Sequence, residues 1–164
     1  MTKEKEEAIV QACEEILDGR FADEFIVDAI QGGAGTSANM NMNEVIANRA
    51  AELLGGRKGA YDRVHPNDDV NMSQSTNDVV PTAGRLTVLD LLQPLVCQLK
   101  RLESELKRKE EEFDDVIKMG RTQLQDAVPM RLGQTFHSYA CMVARDRGRI
   151  EEAAKEMHTV NLGG

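Results

Sequence analysis

A mainly helical fold is predicted for this chain by three features of its sequence. From about Pro81 to Asp114, Val88, Leu92, Leu95, Leu99, Leu102 and Leu106 recur at alternating spacings of four and three, the seam of a helix that packs along its length. From about Pro129 to Val160, Phe136, Val143, Ile150 and Met157 recur every seven residues. Aromatic residues make up only 4% of the chain and Trp is absent, so the core has to come from Leu, Val, Ile, Ala and Met.

The elements follow in order. Lys3 to Asp18 and Met42 to Leu54 read as shorter helices, and Gly55-Gly56 stops the second. Pro81 suits the first turn of the long helix, where a missing N–H costs nothing, with Asn77 or Asp78 as candidate caps. Pro94 falls inside the pattern and should bend the helix. The stretch from Lys100 to Asp115 is densely charged and reads as a solvated face. Residues 115–121 form a short extended segment that enters a polar loop ahead of the second long helix. In that helix Tyr139, Ala140, Ala153 and Ala154 fill the other seam positions, while Asp146 and Arg147 interrupt it.

Size then constrains assembly. A helix of roughly 34 residues is about 51 Å long, whereas a compact chain of this length is only about 40 Å across. Long apolar seams with so few partners in the same chain point to an oligomer, to a fragment, or to both.

Composition excludes several classes. The net charge of −8 over 164 residues lacks the basic face that nucleic acid requires. No apolar run approaches the roughly 18 residues of a membrane span. Met1-Thr2-Lys3-Glu4-Lys5-Glu6-Glu7 has no apolar core of a secretion signal. Three scattered cysteines, Cys13, Cys97 and Cys141, suit a reducing cytoplasm, where each is expected to act as a buried or half-buried apolar group.

Three polar blocks carry the chemistry. Gly32-Gly33-Ala34-Gly35-Thr36-Ser37, followed by Asn39, Asn41 and Asn43, is expected as a loop ahead of a helix, with N–H groups and hydroxyls open to an anion. It is neither a Walker loop, lacking Gly-Lys-Ser/Thr, nor a dinucleotide fingerprint. Gln74-Ser75-Thr76-Asn77-Asp78 sits at the start of the long helix, where its side chains could cap the helix or bind a ligand with help from the dipole. Gly120-Arg121-Thr122-Gln123-Leu124-Gln125-Asp126-Ala127-Val128-Pro129 is read as a third donor-rich turn before a helix. His65-Pro66-Asn67-Asp68 is too poor in ligands for a metal and reads as a loop that binds an anion through His65. His137 and His158 lie within the second helix pattern and read as surface or seam residues. Together the blocks offer donors for carboxylates, no obvious nucleophile and no metal cluster, which is the donor set for proton abstraction from a small dicarboxylate.

Residues 31–62, 64–85 and 118–136 resemble the signature regions of the fumarase/aspartase superfamily. Gly32-Gly33-Ala34-Gly35-Thr36-Ser37, Gln74-Ser75-Thr76-Asn77 and Gln123, which stands where fumarases carry His, are more similar to the aspartate ammonia-lyase branch than to class II fumarases. The resemblance implies an N-terminal helical domain over 1–77 and, over 78–164, the first two long helices of a central helical bundle. It implies reversible elimination of ammonia from L-aspartate to give fumarate, with no cofactor and no metal. Thr36, Ser75, Thr76, Asn77, Thr122 and Gln123 match substrate-binding positions. Thr122 and Ser75 would hold the reacting carboxylate, and Gln123 and Asn77 the other. His65, Asn67 and Asp68 match a secondary anion site. Family sites are assembled between subunits of a homotetramer, and the implied localisation is cytoplasmic.

The superfamily's third signature, a Gly-Ser-Ser loop with a Lys-x-Asn motif, is absent from these residues. The serine base is therefore expected beyond Gly164, Gly163-Gly164 reads as half of a glycine-rich turn, and the chain alone is expected to be inactive. A class II fumarase fragment and a non-catalytic helical oligomerisation module are the alternatives.

Overall fold

The structure is a computed structural model that describes residues 1–30 and 32–162. The expected Gly163-Gly164 turn lies outside those residues. Two compact units divide the chain, one running from Met1 to Ala83 and taking in the segment from Val160, the other running from Gly84 to Thr159.

The first unit is built on two helices, α1 (Lys3–Leu17) and α2 (Thr36–Leu53). Thr2 caps α1 by accepting from Lys5 N at 3.4 Å. Ala8 and Ala12 of α1 meet Ile46, Ala47 and Ala50 of α2 and Val64. Small side chains at this crossing let the backbones approach closely, and Ile9, Ile16, Leu53 and Leu54 seal its edge. Glu15 is buried beside that core, where Arg49 donates to both of its oxygens at 2.8 and 3.0 Å. Those bonds hold the Glu15 carboxyl below its ordinary range against the opposing effect of burial.

Helix α2 starts six residues earlier than the sequence pattern indicates. Gly33, Ala34 and Gly35 have φ of 101°, 53° and 84° and turn the chain straight into Thr36. A side chain at Gly35 would also put a Cβ 2.7 Å from Val80 Cγ1. Asn39, Asn41 and Asn43 are therefore helical, and for Asn39 and Asn43 the contacts described below outweigh a modest helix propensity. A π-helical turn over Pro66–Val70 follows, and then α3 (Thr76–Glu112) begins.

The second unit pairs the later part of α3 with α4 (Leu132–Glu156) in antiparallel sense. Phe113 and Phe136 stack with centroids 5.5 Å apart, and Arg85 donates to the Glu156 carbonyl at the other end. The half-buried stripe on α3 is Leu89, Leu92, Val96, Leu99, Glu103 and Leu106. Only alternate members of the expected seam face inward, because one partner helix covers one flank; Val88, Leu95 and Leu102 are exposed. On α4, Ala140 and Val143 are buried while Tyr139 is exposed. Arg147, which breaks the apolar pattern, bonds Glu103 across the helix pair at 3.3 Å and Glu151 at 3.0 Å. The helix runs unbroken through Pro94.

A β-hairpin joins the two helices, with β1 (Ile117–Thr122) antiparallel to β2 (Gln125–Arg131). This corrects the reading of 120–129 as a loop and of Pro129 as a helix start. Pro129 pairs with Met119, which is permissible because both strands of a two-stranded ribbon are edges. The cysteine expectation is also corrected. Cys13 is half-buried, but Cys97 and Cys141 are exposed. Among the described residues no helix is long and apolar enough to cross a membrane.

Candidate functional site

Two buried amides frame the polar blocks of the first unit. Asn39 and Asn43 stand one turn apart on α2, and both donate to Asn71 Oδ1, at 3.3 and 3.1 Å. Asn39 also donates to Thr76 Oγ1 at 3.0 Å, and Asn71 Nδ2 donates to the Gln74 carbonyl at 3.2 Å. The frame thus fixes the 71–74 turn and the first residue of α3. Ser73 completes the turn in the left-handed region, with φ of 58°. Asn39 Nδ2 has given both its protons and Asn71 Oδ1 has accepted two, so these amides position the neighbouring hydroxyls.

The hydroxyls differ in what they leave free. Thr76 Oγ1 accepts from Asn39, and Ser75 Oγ accepts from Asn77 N at 3.2 Å. Each keeps its own proton to donate. Thr36 instead donates its hydroxyl proton to the Gly33 carbonyl at 2.8 Å. Asn77 is exposed. Ser75, rather than Asn77 or Asp78, caps α3, its carbonyl also accepting from Asp78 N and Val79 N.

Asp78 is buried at 3% exposure. Its Oδ1 accepts from Asn161 Nδ2 at 2.7 Å, while Oδ2 has no partner among the described residues. This contact ties the segment after α4 to the start of α3, and its signal in the sequence was only a capping-type residue. Asn161→Ala is expected to lower the unfolding free energy by about 2 kcal/mol by leaving a buried carboxylate unpaired. A urea midpoint identical to that of the parent would contradict this.

His65 caps the π-helical turn. Its Nδ1 accepts from Asn67 N and Asp68 N, both at 3.2 Å, which leaves Nε2 as the ring's donor nitrogen. Asp69 anchors the same turn, accepting from His65 N and from Lys5 Nζ at 2.9 Å. Burial pushes the Asp69 carboxyl up, but the Lys5 and His65 bonds outweigh it and leave the group below its usual value. A carboxyl depressed in the folded state adds stability above its unfolded pKa of about 4. That contribution is lost as pH falls through the folded value. Lys5→Met is therefore expected to reduce the loss of stability between about pH 5 and pH 2. Urea midpoints compared at neutral and acid pH measure it, and an unchanged pH dependence would refute it.

In the second unit, Thr122 and Gln123 sit at the tip of the hairpin. Thr122 pairs with Gln125, and Gln123-Leu124 form the connection, with φ of 50° and 62°. Two-residue hairpin turns with both φ positive favour Asn-Gly or Gly-Gly. A Gln held there carries a conformational cost of about 1 kcal/mol, the kind of local strain found at ligand-contacting positions. Arg121 lies beside it and bonds Asp126 at 3.0 Å.

The chain matches the lyase family over residues 1–164 and belongs to it. It is 56% identical over 157 residues to an aspartate ammonia-lyase of Bacillus subtilis (strain 168), covering 96% of this chain and 33% of that protein. It is 55% identical to an aspartate ammonia-lyase of Helicobacter pylori, over 96% of this chain and 34% of the other. Among solved structures, a fumarate lyase:delta crystallin from Brucella melitensis matches with a TM-score of 0.88 and 55% identity, over 100% of this chain and 38% of that one. A class II fumarase from Schistosoma mansoni matches at TM-score 0.85 and 38% identity, over 98% and 34%. The chain therefore spans about a third of the length of these relatives. The mainly helical, fumarase/aspartase-type fold is the one expected from the sequence.

Proposed function

We propose that this chain is part of a cytoplasmic aspartate ammonia-lyase that converts L-aspartate reversibly to fumarate and ammonia. The observation that carries the reading is the 56% identity to a curated aspartate ammonia-lyase across 96% of the chain. The 38% identity to a class II fumarase structure is well below it.

In this reading a base supplied from outside residues 1–164 removes a proton from the carbon beside the β-carboxylate. The bond electrons move onto that carboxylate, giving an enediolate-like dianion; the C–N bond of the protonated amine then breaks, its electron pair leaves on nitrogen, and ammonia departs. Charge grows on the carboxylate during the reaction, so donors aimed at it accelerate the step. Ser75 and Thr76, whose oxygens already accept bonds within the protein, have protons free for that purpose. Thr122 serves the same carboxylate, and Gln123 and Asn77 take the other. Thr36 joins them if its bond to Gly33 opens, and His65, Asn67 and Asp68 form a secondary anion site. Residues 1–77 supply the anion-binding loops, and residues 78–164 supply a share of the bundle through which a homotetramer assembles.

The test is forward turnover. A gene product of the relatives' full length carrying this chain should form fumarate and ammonia from L-aspartate, while the isolated 164-residue chain should form neither. Fumarate produced by the isolated chain would overturn the placement of the base.

A further inference from the structure

The second unit carries a cluster of nucleophilic and basic side chains that the lyase chemistry does not use. Cys141 and His137 stand one turn apart on α4, with Sγ 3.4 Å from His137 Nε2. The other imidazole nitrogen, Nδ1, lies 2.8 Å from Glu110 Oε1 on α3. Donation of the Nδ1 proton to that carboxylate leaves the Nε2 lone pair directed at the thiol. A nucleophile, a base within reach of it and a third group orienting the base make up the arrangement that activates nucleophilic side chains.

The surroundings admit a reagent. Cys141 is exposed, and the His137 side chain is 59% exposed. Both line a surface cavity of about 330 Å³ that also includes Lys107 and Glu111. Lys107 donates to Glu103 at 2.8 Å. Its ammonium is held above the ordinary value by that bond and by the Glu103 charge, against the opposing effect of burial. The Glu110–His137 contact by itself would serve to join α3 to α4, but it does not account for a thiol at the opposite nitrogen.

We propose that Cys141 is a modification site that exchanges with small disulfides, with His137 as its base and Glu110 as the group that orients His137. His137 Nε2 takes the Sγ proton, and the thiolate attacks one sulfur of the incoming disulfide. The original S–S bond breaks, and its electron pair leaves on the second sulfur. That sulfur takes the proton from His137 and departs as a free thiol. The products are a mixed disulfide at Cys141 and one equivalent of thiol, so atoms and electrons balance.

The other two cysteines are internal controls. Cys97 is exposed, but its thiol has no hydrogen-bonding partner among the described residues. Cys13 is half-buried, and burial, followed by the charge of Glu14, pushes its thiol up.

The experiment treats the 164-residue chain with limiting oxidised glutathione and follows each cysteine by peptide mass. Cys141 is expected to react about ten times faster than Cys97. His137→Ala should bring the two rates together, and Glu110→Gln should lower the Cys141 rate part of the way. Circular dichroism confirms that the helices persist in both variants. A parent ratio of about five or more that drops at least about threefold in His137→Ala supports the proposal; any other result overturns it.

Discussion

Gln123→Gly, made in the full-length gene product, is expected to lower kcat/KM for aspartate by about a hundredfold while leaving stability unchanged or slightly raised. The two effects have separate causes. Gln123 sits at φ 50° in a two-residue turn, where glycine adopts the same backbone without a Cβ clash. Relief of about 1 kcal/mol of strain offsets the entropy that glycine adds to the unfolded chain. The loss of activity comes from the amide, which in the proposed site donates to one substrate carboxylate. Steady-state kinetics and urea unfolding on the same preparation separate the two. If activity and stability fall together, Gln123 is structural; if kinetics are unchanged, it does not touch substrate.

Gly133→Ala should destabilise the second unit by about 3 kcal/mol. Gly133 lies at the start of α4, where its N–H donates to the Phe113 carbonyl at 2.9 Å. A Cβ there would lie 2.5 Å from the Glu110 carbonyl oxygen and 3.0 Å from Asp114 Cα. Both neighbours are backbone, so neither can rotate away. Helix α4 would have to move off α3, opening the Phe113–Phe136 stack and the Glu110–His137 contact. At Gly148, farther along the same helix, a methyl group would meet nothing within 4 Å. Gly148→Ala should therefore stabilise by about 0.5–1 kcal/mol, as alanine does in an open helix position. Thermal unfolding of the pair measures the contrast, and equal melting temperatures would refute the packing explanation.

The two long helices were legible because their apolar residues keep a helical period over many turns. The direction of each seam was not. Val88, Leu95 and Leu102 match Leu92, Leu99 and Leu106 in character, and only the position of α4 decides which row is covered. The hairpin was hidden because Gln123-Leu124 lacks the Asn-Gly signature of its turn, and Pro129 imitates a helix start.

Ser75, Thr76 and Asn77 were singled out as candidates by their motif, and the structure adds that Ser75 Oγ and Thr76 Oγ1 already accept bonds within the protein. The amides that hold them were missed as a frame. Asn39 and Asn43 are spaced for one face of a helix, but the glycines before them suggested a loop. Asp78 could not be distinguished from an ordinary cap, since its partner, Asn161, lies far along the sequence.

The aspartate reading is tested most directly in the reverse direction, by following fumarate consumption by the full-length gene product with and without ammonium. Rapid loss of fumarate is expected when ammonium is present, and almost none when it is omitted. Equal loss without ammonium, with malate accumulating, would contradict the reading and make the protein a hydratase.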